Sequence, residues 1–274
     1  MALLKPLLLG DPKLITPWIN DVFQLVIMFG AIILIIFMWV KFFEGRKISS
    51  LGFQKNGALN KYLLGFLSGM IFNSVVVGIM YLLGTIELAE NSANLTGVDA
   101  IGIVLIFLLG FLVQGASEEI LSRGWMMQVI GARYKPWLGV LLSTALFAIL
   151  HLGNAGVTIL SVINLILVSF LLALFVLKEG SLWFACAWHS SWNWMLGNVF
   201  GLSVSGQGEK ITMIDLNTRG NEILSGGGFG PEGSIVTSVI MIFTIIIYAN
   251  KVYKKKNLTE VMIDNSLEID SDNK

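Results

Sequence analysis

Residues 101–123 read IGIVLIFLLGFLVQGASEEILSR: a long apolar run that ends in an adjacent carboxylate pair, Glu118 and Glu119, followed by Arg123. At about 1.5 Å of rise per residue, some 20 helical residues span the ~30 Å hydrocarbon layer of a bilayer, so this stretch is long enough to cross one. Ionisable groups in such a stretch cost roughly 2.5–3.5 kcal/mol each on insertion scales, and where they are found they mark function. The chain's only two histidines, His151 and His189, lie in two further apolar runs of the same kind. Two imidazoles, a carboxylate pair and one amide, Asn193, on successive apolar segments suggest a hydrolytic site inside a membrane.

The rest of the composition fits that frame. Of 274 residues, 55% are hydrophobic and 13% charged. A soluble domain carries about 25% charged residues. The apolar residues come in blocks near 18–41, 62–84, 100–122, 137–153, 156–177, 181–202 and 233–250. The expected fold is therefore all-α, a polytopic transmembrane helical bundle of about seven spans, with six to eight as the range. Net charge is zero, which argues against a nucleic-acid partner and leaves the lipid bilayer as the principal environment. The single cysteine, Cys186, excludes an intrachain disulfide and a cysteine zinc cluster. Within the second block, Gly65-x-x-x-Gly69 is a spacing that lets two helices approach closely, and it is read as packing.

Loop charges set an expected orientation. Lys41, Arg46, Lys47, Lys55 and Lys61 follow the first span, whereas 85–99 carries Glu87, Glu90 and Asp99 and no Lys or Arg. By the positive-inside rule the first loop is cytoplasmic and the second external. The same parity puts the Arg133–Lys135 turn and the tail with Lys251, Lys254, Lys255 and Lys256 inside, and 203–232 outside. The expected product is a multi-pass cell-membrane protein with its N-terminus outside and its C-terminus cytoplasmic. Four parts follow: N-terminal membrane helices and loops at 1–99, a helical core at 100–203, an external loop and last span at 204–256, and a disordered acidic tail at 257–274. The Gly226–Gly230 stretch lacks the Lys-Ser/Thr of a phosphate loop and is read as a flexible external loop.

On a helix Glu119 and Arg123 are i,i+4 neighbours and can pair, while Glu118 points about 100° away and is left free. If the chain turns back near Arg133–Pro136, Glu118 and His151 sit at similar depth on the two arms of the hairpin. His189 and Asn193 are one turn apart and share a helix face, so two donors lie side by side as an oxyanion requires. Trp183, Trp188, Trp192 and Trp194 crowd that segment and are read as interface anchors and packing.

Glu-Glu-x-x-x-Arg (Glu118, Glu119, Arg123), Phe-x-x-x-His (Phe147, His151) and His-x-x-x-Asn (His189, Asn193) occur in that order. This pattern resembles the CPBP family of intramembrane proteases, the type II CAAX prenyl protease and bacteriocin-processing group also called Abi, over roughly residues 100–200. The resemblance implies a CAAX-protease-like helical core and an intramembrane endopeptidase. Position by position, it implies Glu118 as general base on a water that His151 helps to hold, and His189 with Asn193 stabilising the oxyanion. Glu119 and Arg123 become structural support.

The family is often labelled metalloprotease, and Glu118, His151 and His189 could supply a His₂Glu zinc set. There is no His-Glu-x-x-His, and a metal-free glutamate mechanism uses the same residues. The reading favours no cofactor slightly over zinc. The expected partners are a peptide or membrane-protein substrate, with room for a helper that presents it. Peptide or bacteriocin processing and self-immunity are the implied roles. Two alternatives stay open: a non-catalytic regulatory or immunity scaffold, and a transporter or proton relay, since intramembrane Glu and His also mark ion pathways. Against the relay, the sequence has no internal repeat and no symmetrically broken helices.

Overall fold

The computed structural model describes residues 12–90, 94–208 and 210–272, with side chains between Trp18 and Lys255. Its helices in chain order are α1 (Pro12–Met38), α2 (Ala58–Leu82), α3 (Ile101–Glu119), α4 (Met127–Arg133), α5 (Pro136–Leu150), α6 (Ile159–Glu179), α7 (Trp183–Trp194), the short α8 (Glu222–Ser225) and α9 (Ile235–Asp272). Three π-helical segments interrupt or extend them: Trp39–Phe43 after α1, Ile120–Met126 between α3 and α4, and Met195–Val199 after α7. The tail expected to be disordered, 257–274, falls beyond the last described side chain, Lys255.

Why each element starts and stops is readable locally. Pro136 opens α5, where its missing N–H costs nothing and its fixed φ already suits a helix. Thr158 caps α6 through a reciprocal box: its hydroxyl accepts from Ser161 N–H and the Ser161 hydroxyl accepts from Thr158 N–H. The same helix ends on Gly180 in the left-handed conformation, with Lys178 in its last turn.

Five segments are long and apolar enough to cross a membrane: Trp18–Phe43, Ala58–Leu82, Gly97–Arg133, Ile159–Glu179 and Ile235–Lys255. The two remaining expected spans, 137–153 and 181–202, form shorter helices. α5 has 15 residues and stops at His151, and α7 has 12 residues before its π turn. The reason is position. Every residue of α7 from Phe184 to Asn193 is buried, so this helix is solvated by protein and needs neither a full span's length nor a uniformly apolar surface. The other face of the bundle is the reverse: Phe23, Met28, Leu34, Phe42, Ile71 and Phe243 are each at least 60% exposed, a surface suited to lipid.

α7 is the axis around which the others stand. α2 and α3 pack on its two sides, α1 packs on α3, α5 and α9 pack on α6, and α6 touches α7. The glycine spacing in α2 does the expected work. A Cβ at Gly65 would lie 2.3 Å from the Phe184 carbonyl oxygen, and one at Gly69 2.1 Å from Ser191 Oγ and 2.6 Å from the Trp188 carbonyl oxygen. Only glycine lets the two backbones come this close.

The connections gather at the two ends of the bundle. At one end, the 85–99 and 203–234 loops meet: β1 (Ile86–Leu88) pairs antiparallel with β4 (Leu216–Thr218), and β2 (Leu95–Thr96) pairs parallel with β3 (Ile211–Thr212). The two loops thus share a side, as the charge parity requires. At the other end, Leu182 N–H donates to Gly52 O, Gln128 to Leu51 O, and Lys61 to Glu179 O. Glu44 is the hub there. Its carboxylate accepts from Trp39 Nε1 at 3.0 Å, Trp125 Nε1 at 2.7 Å and Arg46 Nε at 2.8 Å, tying the end of α1 to the π segment behind the carboxylate pair.

The Gly226–Gly230 stretch is not a free loop. Gly226 ends α8 in the left-handed conformation, Phe229 beside it is fully buried, and the chain passes on through the buried Pro231–Gly233 turn.

Two expectations follow. Gly69→Ala forces α2 away from α7 and costs about 1–3 kcal/mol, the usual range for overpacking. It is read as a lower melting temperature in detergent. Gly78→Ala, with nothing within 4 Å of the added methyl, does not lower it. The second concerns pH. Burial pushes the Glu44 carboxyl up, but the hydrogen bonds from Trp125 and Arg46 and the charge of Arg46 outweigh it, and the group lies below the usual glutamate range. A carboxyl lowered in the folded state contributes stability above its unfolded value, lost as pH falls through the folded one. Glu44→Gln therefore lowers stability at pH 7, by about 1 kcal/mol, and the difference from the unsubstituted chain vanishes below roughly pH 4.

Candidate active site

The carboxylate pair sits where α3 gives way to the π segment Ile120–Met126. Glu119 and Arg123 pair as their spacing implies, Arg123 Nη1 donating to Glu119 Oε1 at 2.8 Å with both side chains fully buried. The guanidinium goes further. Its Nη2 donates to the Ser169 carbonyl (2.8 Å) and hydroxyl (2.6 Å) on α6, and its carbon lies 4.9 Å from the centre of the Phe147 ring on α5. One arginine therefore joins α3, α5 and α6.

Glu119 has a second partner. His189 Nδ1 is 2.9 Å from the same Oε1, so this nitrogen carries the hydrogen and donates it. That leaves Nε2 facing Glu118, whose Oε2 is 3.7 Å away, beyond hydrogen-bonding distance. Glu118 Oε2 has no hydrogen-bond partner among the described residues. The reading of Glu119 as tied up and Glu118 as free matches this geometry.

His151 stands at the C-terminus of α5, where Nδ1 donates to the Phe147 carbonyl at 2.8 Å. Its other nitrogen is then an acceptor in the neutral ring. The Phe147 ring lies between the two imidazoles, with centroids 4.6 Å from His151 and 5.9 Å from His189. On α7, Asn193 Nδ2 donates to Gln114 Oε1 at 3.2 Å, which uses one of its two N–H groups.

Glu118, His151, His189 and Asn193 all line one cavity of about 300 Å³. Its walls are mostly apolar, from Leu25, Phe29 and Ile32 of α1, Phe111 of α3, and Leu165 and Val168 of α6. The hairpin argument, which placed Glu118 and His151 at one depth from sequence separations, agrees with their sharing this cavity.

The zinc set fares differently. Among the described residues no three His, Cys, Asp or Glu side chains converge to hold a metal ion. Glu118 and His189 face each other, while His151 sets its Nδ1 on the Phe147 carbonyl and its ring against the Phe147 ring. The His₂Glu arrangement is not assembled in this geometry.

Several cavity residues had escaped the sequence reading. Gln114 was within its reach, because it sits one turn before Glu118 on the same face of α3. Glu232, Ser205, Gln207 and Asn154 had no signal, since loops bring them there from far along the chain. Glu232 is 92% buried by its 8% exposure and accepts from Trp192 Nε1 at 2.9 Å. Trp192 and Trp188 are accordingly not interface anchors: both are buried and stacked on each other, with centroids 5.4 Å apart and planes 8° apart.

The Glu119 geometry has an energetic consequence. Removing one member of a buried ion pair costs about 3–5 kcal/mol because the other charge is left uncompensated. Glu119→Gln is expected to lower the melting temperature sharply, whereas Glu118→Gln, with no paired arginine, leaves it within a few degrees. Thermal denaturation of the purified chains in detergent makes the comparison.

No curated protein and no solved structure matches this chain. A family model does, over the segment that carries all the motif residues: residues 100–195 are similar to the Rce1-like type II CAAX prenyl endopeptidases.

Proposed function

We propose that the protein is an intramembrane endopeptidase that cleaves peptides or membrane-associated segments by a glutamate-activated water. The observation that carries this is the cavity in which Glu118, His151, His189 and Asn193 converge, with apolar side chains of α1, α3 and α6 among its walls.

The residues divide the work as follows. Water held between Glu118 and the acceptor nitrogen of His151 loses a proton to Glu118 as its oxygen attacks the scissile carbonyl carbon. The carbonyl π electrons move onto oxygen, and the resulting oxyanion takes hydrogen bonds from the free N–H of Asn193 and from His189. His189 donates through Nε2 in its imidazolium form, with Nδ1–H held on Glu119. When the tetrahedral species collapses, the C–N bond breaks and the proton returns from Glu118 to the departing nitrogen. The products are a carboxylic acid and an amine. Glu119 and Arg123 position His189 and touch no reacting atom. Gln114 does the same for Asn193.

The four chain parts, 1–99, 100–203, 204–256 and 257–274, and the orientation with N-terminus outside and C-terminus cytoplasmic, belong to this reading. The basic residues Arg46, Lys47, Lys55, Lys61 and Lys178 collect at the bundle end away from the β-ladders, which supports that orientation. Processing of leader peptides or bacteriocins, or self-immunity against them, is the role the resemblance favours.

The test is peptidomics of cells making the chain beside its Glu118→Ala and His189→Ala forms at matched membrane levels. General-base loss costs about 10²–10⁴-fold in rate, so peptides present with the intact chain are expected to disappear with Glu118→Ala. Loss of an oxyanion donor costs about 10²–10³-fold, and His189→Ala follows. Identical peptide profiles in all three, alongside a phenotype that persists, would leave the regulatory scaffold as the better account.

A further inference from the structure

At the end of the cavity nearest the β-ladders stands a second carboxylate, Glu232, which the matched segment does not include. Its side chain accepts from Trp192 Nε1 and from the backbone N–H and hydroxyl of Ser205. All three donors are neutral, and none of the described ion pairs includes Glu232. Among the described residues no Lys or Arg lines the cavity; Arg123 is sealed beneath it, fully buried. A glutamine's single acceptor oxygen could serve only part of this donor set, and the carboxylate that serves all of it carries a charge that no described ion pair offsets. What a carboxylate adds at this position is attraction for a cation.

The residue is also held in place. The Glu232 carbonyl accepts from Asn164 Nδ2 at 2.8 Å, Asn164 Oδ1 accepts from the Ser238 hydroxyl at 2.6 Å, and the Thr237 hydroxyl donates to Pro231 O at 2.6 Å. Its partner Trp192 is on α7, adjacent to Asn193 and three residues from His189, about 4.5 Å of helical rise.

We infer that Glu232 is a recognition site for a basic side chain, and that this cavity takes an apolar peptide segment carrying one lysine or arginine. The basic side chain would therefore lie on the same peptide segment as the cleaved bond, within the one cavity. A free terminal carboxylate, by contrast, meets Glu118 and Glu232 and, among the described residues, no lysine or arginine in this space. The cleaved bond rests on the endopeptidase reading; the binding does not.

The experiment uses the full chain in detergent and a pair of fluorescent apolar heptapeptides, one with a single arginine and the other with citrulline, its neutral near-isostere. Binding is measured on the Glu118→Gln chain, so that no turnover intervenes, and hydrolysis on the unsubstituted chain. Arginine is expected to bind at least about tenfold tighter, and Glu232→Gln, which keeps an acceptor oxygen for Trp192, is expected to bring the ratio to within about twofold of unity. Equal binding of the two peptides overturns the inference, and needs no Glu232 variant to be read. A preference that survives Glu232→Gln overturns it as well. If the arginine preference is present but neither peptide is hydrolysed, the inference stands and the endopeptidase reading falls. Hydrolysis of both at equal rates has the opposite meaning.

Discussion

The buried pair of Glu119 and Arg123 is the constraint on which the other parts depend. A guanidinium with no exposure at all must find partners for its charge and its N–H groups. Arg123 finds them on three helices, at Glu119 on α3, Ser169 on α6 and the Phe147 ring on α5. Each partner in turn places something at the cavity. Glu119 holds the Nδ1 of His189, the Phe147 carbonyl holds the Nδ1 of His151, and the helix that carries the pair presents Glu118. Both imidazoles are therefore held by Nδ1 around one ion pair, with their remaining nitrogens available to the cavity.

The backbone around these residues is shaped to the same end. α3 changes to π geometry directly after Glu119, and α7 does so directly after Trp194, one residue beyond Asn193. π turns of this sort are common at functional sites, where they re-aim side chains that a continuous α-helix would bury or misdirect. α7 itself can be short and rich in polar and aromatic residues because α2, α3 and α6 surround it. The glycines of α2 allow the closest of those approaches.

The loops at the β-ladder end complete the enclosure. Glu232, Ser205, Gln207 and Asn154 form a polar wall facing the catalytic group across apolar side chains, and the turn that carries Glu232 is anchored to α6 and α9. The segment that begins as a glycine-rich connection thus ends as part of the cavity wall. Trp192 links this wall to the helix bearing His189 and Asn193.

The sequence by itself determined a good deal. Long apolar runs fix a helical membrane bundle, because in lipid every backbone polar group must be satisfied within its own segment. The period of the helix made Glu119–Arg123 and His189–Asn193 same-face pairs, and it also held an unread pair, Gln114 and Glu118. Only the tertiary structure decided the rest. That α5 and α7 are short follows from their being enclosed by other helices, a matter of neighbours and not of local pattern. That His151 turns its Nδ1 to the Phe147 carbonyl and its ring against Phe147 follows from a side-chain rotamer. Glu232 reaches the cavity through loop packing 39 positions beyond Asn193, and no periodicity in a sequence encodes a contact made by a turn.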